Sequence, residues 1–251
     1  MNFIYSLISV IIVSAISFVG ALTLALNTEK LKKMIVFLVS LAVGGLLGDA
    51  FIHLIPETFN ELGSGFMSSI LILGGLLLFF VMEKFIRWRH CHLDIDASES
   101  RLHPVVTMNL IGDGIHNFID GALIAASFAI NVPLGITTTL AVILHEIPQE
   151  IGDFGILIKG GLAPKKVLLF NFLSGLVAVL GAVAVFVIGS TVENLFVYLV
   201  PITAGGFIYI AGSDLIPDLH HNHGDKPKTS IIQLFAIILG IAIMATLLFI
   251  E

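Results

Sequence analysis

Residues 104–129 read PVVTMNLIGDGIHNFIDGALIAASFA, and residues 134–157 read LGITTTLAVILHEIPQEIGDFGIL. Each stretch is long enough for a helix to cross a bilayer core, which takes about 20 residues. Each is apolar except for one set of polar side chains. In the first, Asn109, Asp113, His116, Asn117 and Asp120 project within an arc of about 100° when the residues are placed on a helix. In the second, His145, Glu146, Gln149, Glu150 and Asp153 cover an arc of about 140°. Neither stretch holds a lysine or arginine. A charged side chain at the bilayer centre costs at least about 2.5–3.5 kcal/mol. Two acidic stripes without a basic partner must therefore face each other, water or a bound cation.

The rest of the chain supplies the membrane context. Of 251 residues, 57% are hydrophobic and only 12% charged, and the mean hydropathy is +1.05. A soluble domain carries roughly 25% charged residues. Further apolar spans are predicted at Phe3–Leu26, Met34–Ile55, Phe66–Met82, Val167–Ile188, Leu195–Leu215 and Ile231–Ile250, giving eight helices and an all-α, polytopic fold. The opening MNFIYSLISV lacks the basic region of a cleavable signal and is read as a mature helix. With alternating directions, all 12 lysines and arginines fall in or beside the first, third, fifth and seventh connections. Those connections share one side, which the positive-inside rule makes cytoplasmic, so both termini are expected outside. The expected location is the plasma (inner) membrane, with residues 1–251 as one transmembrane domain. A net charge of -6 argues against a nucleic-acid partner. Cys91 is the single cysteine, so no disulfide framework exists within the chain.

The ligand types narrow the cation. His116 and Asp120 are one helical turn apart, as are His145 and Gln149, so each pair can reach a common ion. Imidazole with carboxylate suits zinc, iron or manganese better than calcium or magnesium. Interhelical hydrogen bonding alone is the plainer reading, but it does not call for so many carboxylates and imidazoles. Pro148 cannot donate to the Leu144 carbonyl and is expected to loosen the helix, either as an ordinary kink or to shape the ion site.

Other polar groups mark approaches. Asp49 and His53 near Glu57 in the second span, and Asp214 and Asp218 in the seventh, are either path residues or ordinary buried and interfacial hydrogen-bonding groups. Leu54-Ile55-Pro56-Glu57 and Leu215-Ile216-Pro217-Asp218 echo each other with opposite facing, a pointer to an inverted repeat of helices 1–3 and 6–8 around helices 4–5. Two loops, residues 89–103 with His90, Cys91 and His92 and residues 219–229 with His220, His221 and His223, are rich in metal ligands. They are read as cytoplasmic metal acceptors or sensors, against the alternative of solvated loops without a fixed site.

The stretches NLIGDGIHNFIDG (109–121), HEIPQEIGDF (145–154) and AGSDLIPD (211–218) resemble the ZIP (Zrt-, Irt-like protein) family of metal transporters, over nearly the whole chain. The resemblance is to the branch with an HExPxE pattern on the fifth helix. It implies a transport site between helices four and five, with His116, Asp120, His145 and Gln149 around a first ion. Asn117, Asp120, Glu146 and Gln149 would surround a second, with Asn171 as a further contributor. It also implies metal movement toward the cytosol and a homodimer. Gln149 departs from the histidine usual in that branch, which weakens the second ion. Asp113, Glu150 and Asp153 are expected as additional metal or pathway residues.

The expected function is thus transport of a divalent ion, zinc foremost, with iron, manganese or cadmium open, no organic cofactor and no enzyme activity. A metal-selective channel of the same architecture is the near alternative. An intramembrane metalloprotease is the distant one, since Gln149 replaces the second histidine that a His-Glu-x-x-His zinc site requires.

Overall fold

The computed structural model describes residues 2–21, 28–63, 65–91, 104–189, 194–221 and 227–249. Every regular element among them is helical. α1 (Asn2–Ile16) tightens into a 3-10 turn over Ser17–Ala21. α2 (Thr28–Asp49) widens into a π turn over Ala50–Leu54 and continues as α3 (Ile55–Leu62). α4 (Phe66–Cys91), α5 (Pro104–Ile130) and α6 (Val132–Lys159) follow as single helices. α7 (Pro164–Gly175) and α8 (Val177–Gly189) form one rod interrupted at Leu176. α9 (Leu195–Tyr209) passes through a second π turn, Ile210–Leu215, into α10 (Ile216–His221), and α11 (Pro227–Leu247) completes the bundle.

Among the described residues six rods are long and apolar enough to cross a membrane: Asn2–Ala21, Lys33–Leu62, Phe66–Lys84, Pro164–Gly189, Leu195–His220 and Pro227–Leu247. α5 and α6 match them in length but carry the acidic stripes. Large apolar side chains cover the outside, among them Ile8 and Ile11 of α1, Leu73 and Leu77 of α4, and Leu234 and Phe235 of α11. Such a surface is stable against lipid, and it identifies an all-α polytopic membrane protein. The core combines small and branched residues, including Leu46, Ala50, Ile124, Ala125, Ala141 and Val142, with aromatic rings such as Phe207.

Three helix pairs cross by one device. On α2 and α11, a Cβ on Gly44 would strike the Ile237 carbonyl, and one on Gly240 would strike that of Leu41. Gly75 and Gly205 stand the same way against Ile202 and Ile72, joining α4 to α9. Gly121 and Gly181 do so against Ala178 and Phe118, joining α5 to α8. In each pair the struck carbonyl lies three residues before the partner glycine. Without a hydrophobic drive between helices in lipid, such close backbone approach supplies the packing energy.

Two span ends differ from the sequence reading. The second span does not stop at Ile55 but runs through Pro56 to Leu62, and the seventh runs through Pro217 to His221. The π turns account for both. Ile55 N–H bonds the Ala50 carbonyl and Ile216 N–H that of Ala211, each five residues back. A shifted register lets the helix continue where proline offers no donor. α6 likewise runs unbroken through Pro148. The sixth span, expected as one helix, is interrupted at Leu176, and the freed Gly175 carbonyl accepts from Ser14 Oγ at 2.6 Å.

Candidate metal centre

α5 and α6 pack side by side, joined only by Asn131, whose Oδ1 accepts from Leu134 N–H at 2.8 Å and caps α6. This hairpin sets the two polar stripes face to face. His116 Nε2 lies 3.1 Å from His145 Nε2, and His145 Nε2 lies 3.0 Å from Asp120 Oδ2. His116 Nε2 is 3.5 Å from both Asp120 Oδ2 and Glu146 Oε1, and His145 Nε2 is 3.7 Å from Glu146 Oε1. His145, Asp120 and Glu146 are buried, and His116 is partly exposed.

These separations match the edges of a coordination shell. Zinc bonds of about 2.0–2.1 Å in a tetrahedron place neighbouring ligand atoms roughly 3.3–3.4 Å apart. The second shell also fits. His145 Nδ1 lies 3.1 Å from the Ala141 carbonyl, to which it can only donate. That leaves the Nε2 lone pair facing Asp120 Oδ2 and His116, an arrangement of acceptors that a cation resolves. Asp120 Oδ1 and Glu146 Oε1 have no hydrogen-bond partner among the described residues. The Phe207 ring of α9, 6.1 Å from that of His145, closes one side with an apolar wall.

The remaining expected residues distribute around this centre. Asn117 Nδ2 donates to Asp113 Oδ1 at 2.9 Å and to the Asp113 carbonyl at 3.1 Å, so the amide is engaged within α5. Gln149 sits one turn beyond His145, beside Asp113, while Glu146 stands with the two histidines and Asp120. Glu150 accepts from Ser17 Oγ at 2.6 Å and from Asn171 Nδ2 at 2.8 Å. Asp153, next along α6, is partly buried. Asp49 is buried on α2, and His53 Nε2 donates to the Met244 carbonyl at 3.0 Å, tying the π turn to α11. Glu57 Oε1 accepts from Asn131 Nδ2 at 3.1 Å, and with Glu61 it lines a shallow hollow beside Ile130 and Val200. Asp218 is partly buried and His220 exposed on α10. His90, Asp214 and His221 lie on helices whose side chains there are not described, and His92 and His223 lie outside the described residues.

Several contacts had weak signals in the sequence. Ser17 and Ser174 are ordinary small residues of apolar spans, and only the need of Glu150 and Asp113 for donors points to them. Tyr209, just before the second π turn, donates to Glu83 Oε2 at 2.5 Å. Neither partner belongs to a recognisable motif.

Comparison with known proteins bears on the family of the chain. The profile of the ZIP zinc transporter family matches residues 2–99 and 89–248. Human zinc transporter ZIP10 is 35% identical over 161 residues, 61% of this chain and 19% of the human protein. Mouse zinc transporter ZIP13 is 34% identical over 256 residues, covering 85% of this chain and 70% of its own length. Zinc transporter zipt-7.1 of Caenorhabditis briggsae is 30% identical over 271 residues, with 82% and 69% covered. The chain thus spans about a fifth of ZIP10 and over two thirds of ZIP13. With the family profile running over nearly its whole length, this chain belongs to the ZIP zinc transporter family.

Proposed function

We propose that this protein carries a divalent transition metal ion, zinc foremost, across a membrane by way of the centre between α5 and α6. The convergence of His116, Asp120, His145 and Glu146 carries the reading. Four ligand atoms lie within 4.8 Å of one another, between stretches 104–129 and 134–157 that hold no lysine or arginine. Mixed nitrogen and oxygen ligation favours zinc, iron, manganese or cadmium over calcium and magnesium. Asn117 and Gln149, one step outside the four, serve as auxiliary ligands during passage, so that one ion is held firmly and a second weakly. The names of the matched relatives, zinc transporters all, favour zinc as cargo.

In the same reading the chain is a single transmembrane domain with eight crossings, the two halves related as an inverted repeat. The paired π turns before Ile55-Pro56 and Ile216-Pro217 support that relation. The one-sided basic residues favour both termini outside, and the family resemblance favours flow toward the cytosol by a homodimer in the plasma (inner) membrane. Reconstituted vesicles containing a zinc-sensitive dye test the proposal. Zinc influx should saturate and fall at least about tenfold in His116→Ala or His145→Ala at matched protein levels, because each loses a nitrogen ligand. Undiminished influx in both would overturn it.

A further inference from the structure

Residues 137–139 are three consecutive threonines on α6, all buried, whose hydroxyls find different partners. Thr137 Oγ1 donates to the Leu134 carbonyl at 2.9 Å and Thr139 Oγ1 to that of Gly135 at 2.6 Å, both on their own helix. Thr138 Oγ1 instead donates across to α5, to Ser127 Oγ at 3.0 Å. Ser127 uses its one hydrogen on the Leu123 carbonyl, also at 3.0 Å, which leaves its lone pairs to accept from Thr138. Neither residue has any exposed surface, and the hairpin around them is built of buried apolar residues such as Ala125, Ala126, Leu134 and Ala141. A Cβ on Gly135 would strike the Phe128 ring, so the two helices are in close contact beside this bond. Ser127 lies seven residues after Asp120, and Thr138 lies seven before His145. Seven residues make just under two turns, or about 10.5 Å. The Ser127–Thr138 and Asp120–His145 contacts, both at 3.0 Å, are therefore two rungs on one register of the hairpin.

We infer that Thr138, acting through Ser127, is a positioning residue for the metal centre: it fixes the distance and register at which α6 presents His145 to Asp120 and His116, and so sets how firmly the ion is held. The inference rests on the reading that the ion is carried between α5 and α6. Helices in lipid gain nothing hydrophobic by touching one another, so a hydroxyl bond is among the few contacts that favour one register over another. A slip of one residue would move α6 by about 1.5 Å, turn it by about 100°, and part His145 from both partners. The ligands themselves oppose the pairing before an ion arrives, because Asp120 and Glu146 repel and neither stretch holds a lysine or arginine. The tie reaches the ligands through one turn of each helix. Ala141, three residues after Thr138, presents the carbonyl that orients His145 Nδ1 at 3.1 Å. Leu123, whose carbonyl accepts from Ser127, follows Asp120 by three residues.

Cobalt(II) in place of zinc is the probe, because its visible bands report both the occupancy and the geometry of a mixed nitrogen and oxygen shell. Thr138→Val keeps the shape of the side chain and removes the hydroxyl. It should weaken cobalt binding by about three- to tenfold, the scale of one interhelical hydrogen bond, and alter the band envelope. Thr138→Ser should restore both. Ser127→Ala should reproduce the change, and it carries the test if Thr138→Val does not fold. The double variant should be no worse than either single one, since both remove the same bond. Thr137→Val and Thr139→Val delete hydroxyls bonded within α6, so they should keep the native spectrum and affinity whatever happens to the melting temperature. In vesicles, Thr138→Val should raise the half-saturating zinc concentration by a similar factor and hold the maximal rate within about twofold. Native cobalt spectra and affinity in Thr138→Val and Ser127→Ala, an equal loss at Thr137 or Thr139, or failure of Thr138→Ser to restore the centre each overturns the role. Zinc flux separates the two proposals. An altered cobalt centre in these variants, beside a native chain that moves no zinc, removes transport and leaves the positioning role. Flux that depends on His116 and His145, beside an unaltered cobalt centre in the variants, leaves transport and removes the role.

Discussion

Gly121→Ala should damage this protein in proportion to a clash visible in the backbone. Gly121 follows Asp120 directly, and its Cα faces the Ala178 carbonyl at the α5–α8 crossing. An added Cβ would land on that oxygen, closer than the 3.0 Å below which real Cβ atoms are essentially not found. The obstacle is backbone, so no rotamer change relieves it. The helices must separate by roughly 1 Å, and overpacking of that kind costs about 1–3 kcal/mol. The same shift carries Asp120 away from His145, where the contact is now 3.0 Å. A displacement near 1 Å at a functional group can cost on the order of 100-fold in rate. Gly152→Ala on α6 is the control, because a Cβ there meets nothing within 4 Å. Alanine's better helix propensity should make that variant neutral or slightly more stable. Melting in detergent, with and without zinc, and vesicle uptake read both effects. Gly121→Ala protein that melts with the control and transports zinc normally would refute the crossing geometry.

Three further outcomes follow from other parts of the structure. Asn131→Ala removes the cap of α6 and the donor to Glu57, and should lower thermal stability by about 1 kcal/mol or more at the melting midpoint; Asn131→Asp, which keeps the cap but loses the amide donor, should recover only part of it. Gln149→His restores an imidazole one turn from His145 and should tighten zinc binding, measured by calorimetry, while slowing turnover. Cysteines introduced into a Cys91→Ser background should react with an impermeant maleimide in intact cells beside Glu193 but not beside His223, and the reverse pattern would invert the proposed direction of transport.

The polar stripes were legible because helical periodicity alone gathers Asp113, His116 and Asp120 on one face. The pairing across the groove was less so. Periodicity couples His145 to Gln149, one turn on, whereas the structure sets His145 and Glu146 together against α5. Adjacent residues about 100° apart can straddle a groove between two helices, and a single-helix projection does not show where that groove lies. Two span ends were missed for a similar reason. The expected spans ended at Ile55 and Leu215, but π turns shift the hydrogen-bond register and carry both helices on through Pro56 and Pro217, and no residue type signals such a turn. The reciprocal glycine pairs Gly44 with Gly240, Gly75 with Gly205 and Gly121 with Gly181 depend on which helices meet, which a single-helix reading does not show. Ser17 became meaningful only once the 3-10 turn placed it over Glu150.

Zinc K-edge absorption on the purified, zinc-loaded chain tests the central claim most directly. Extended fine structure should give two imidazole nitrogens and two carboxylate oxygens at about 2.0–2.1 Å, with no sulfur. His145→Ala should remove one imidazole's multiple-scattering signature, and Glu146→Gln should leave both. A shell containing sulfur at about 2.3 Å would place the ion at Cys91 instead. A shell with oxygen alone would exclude His116 and His145 from coordination and contradict the account.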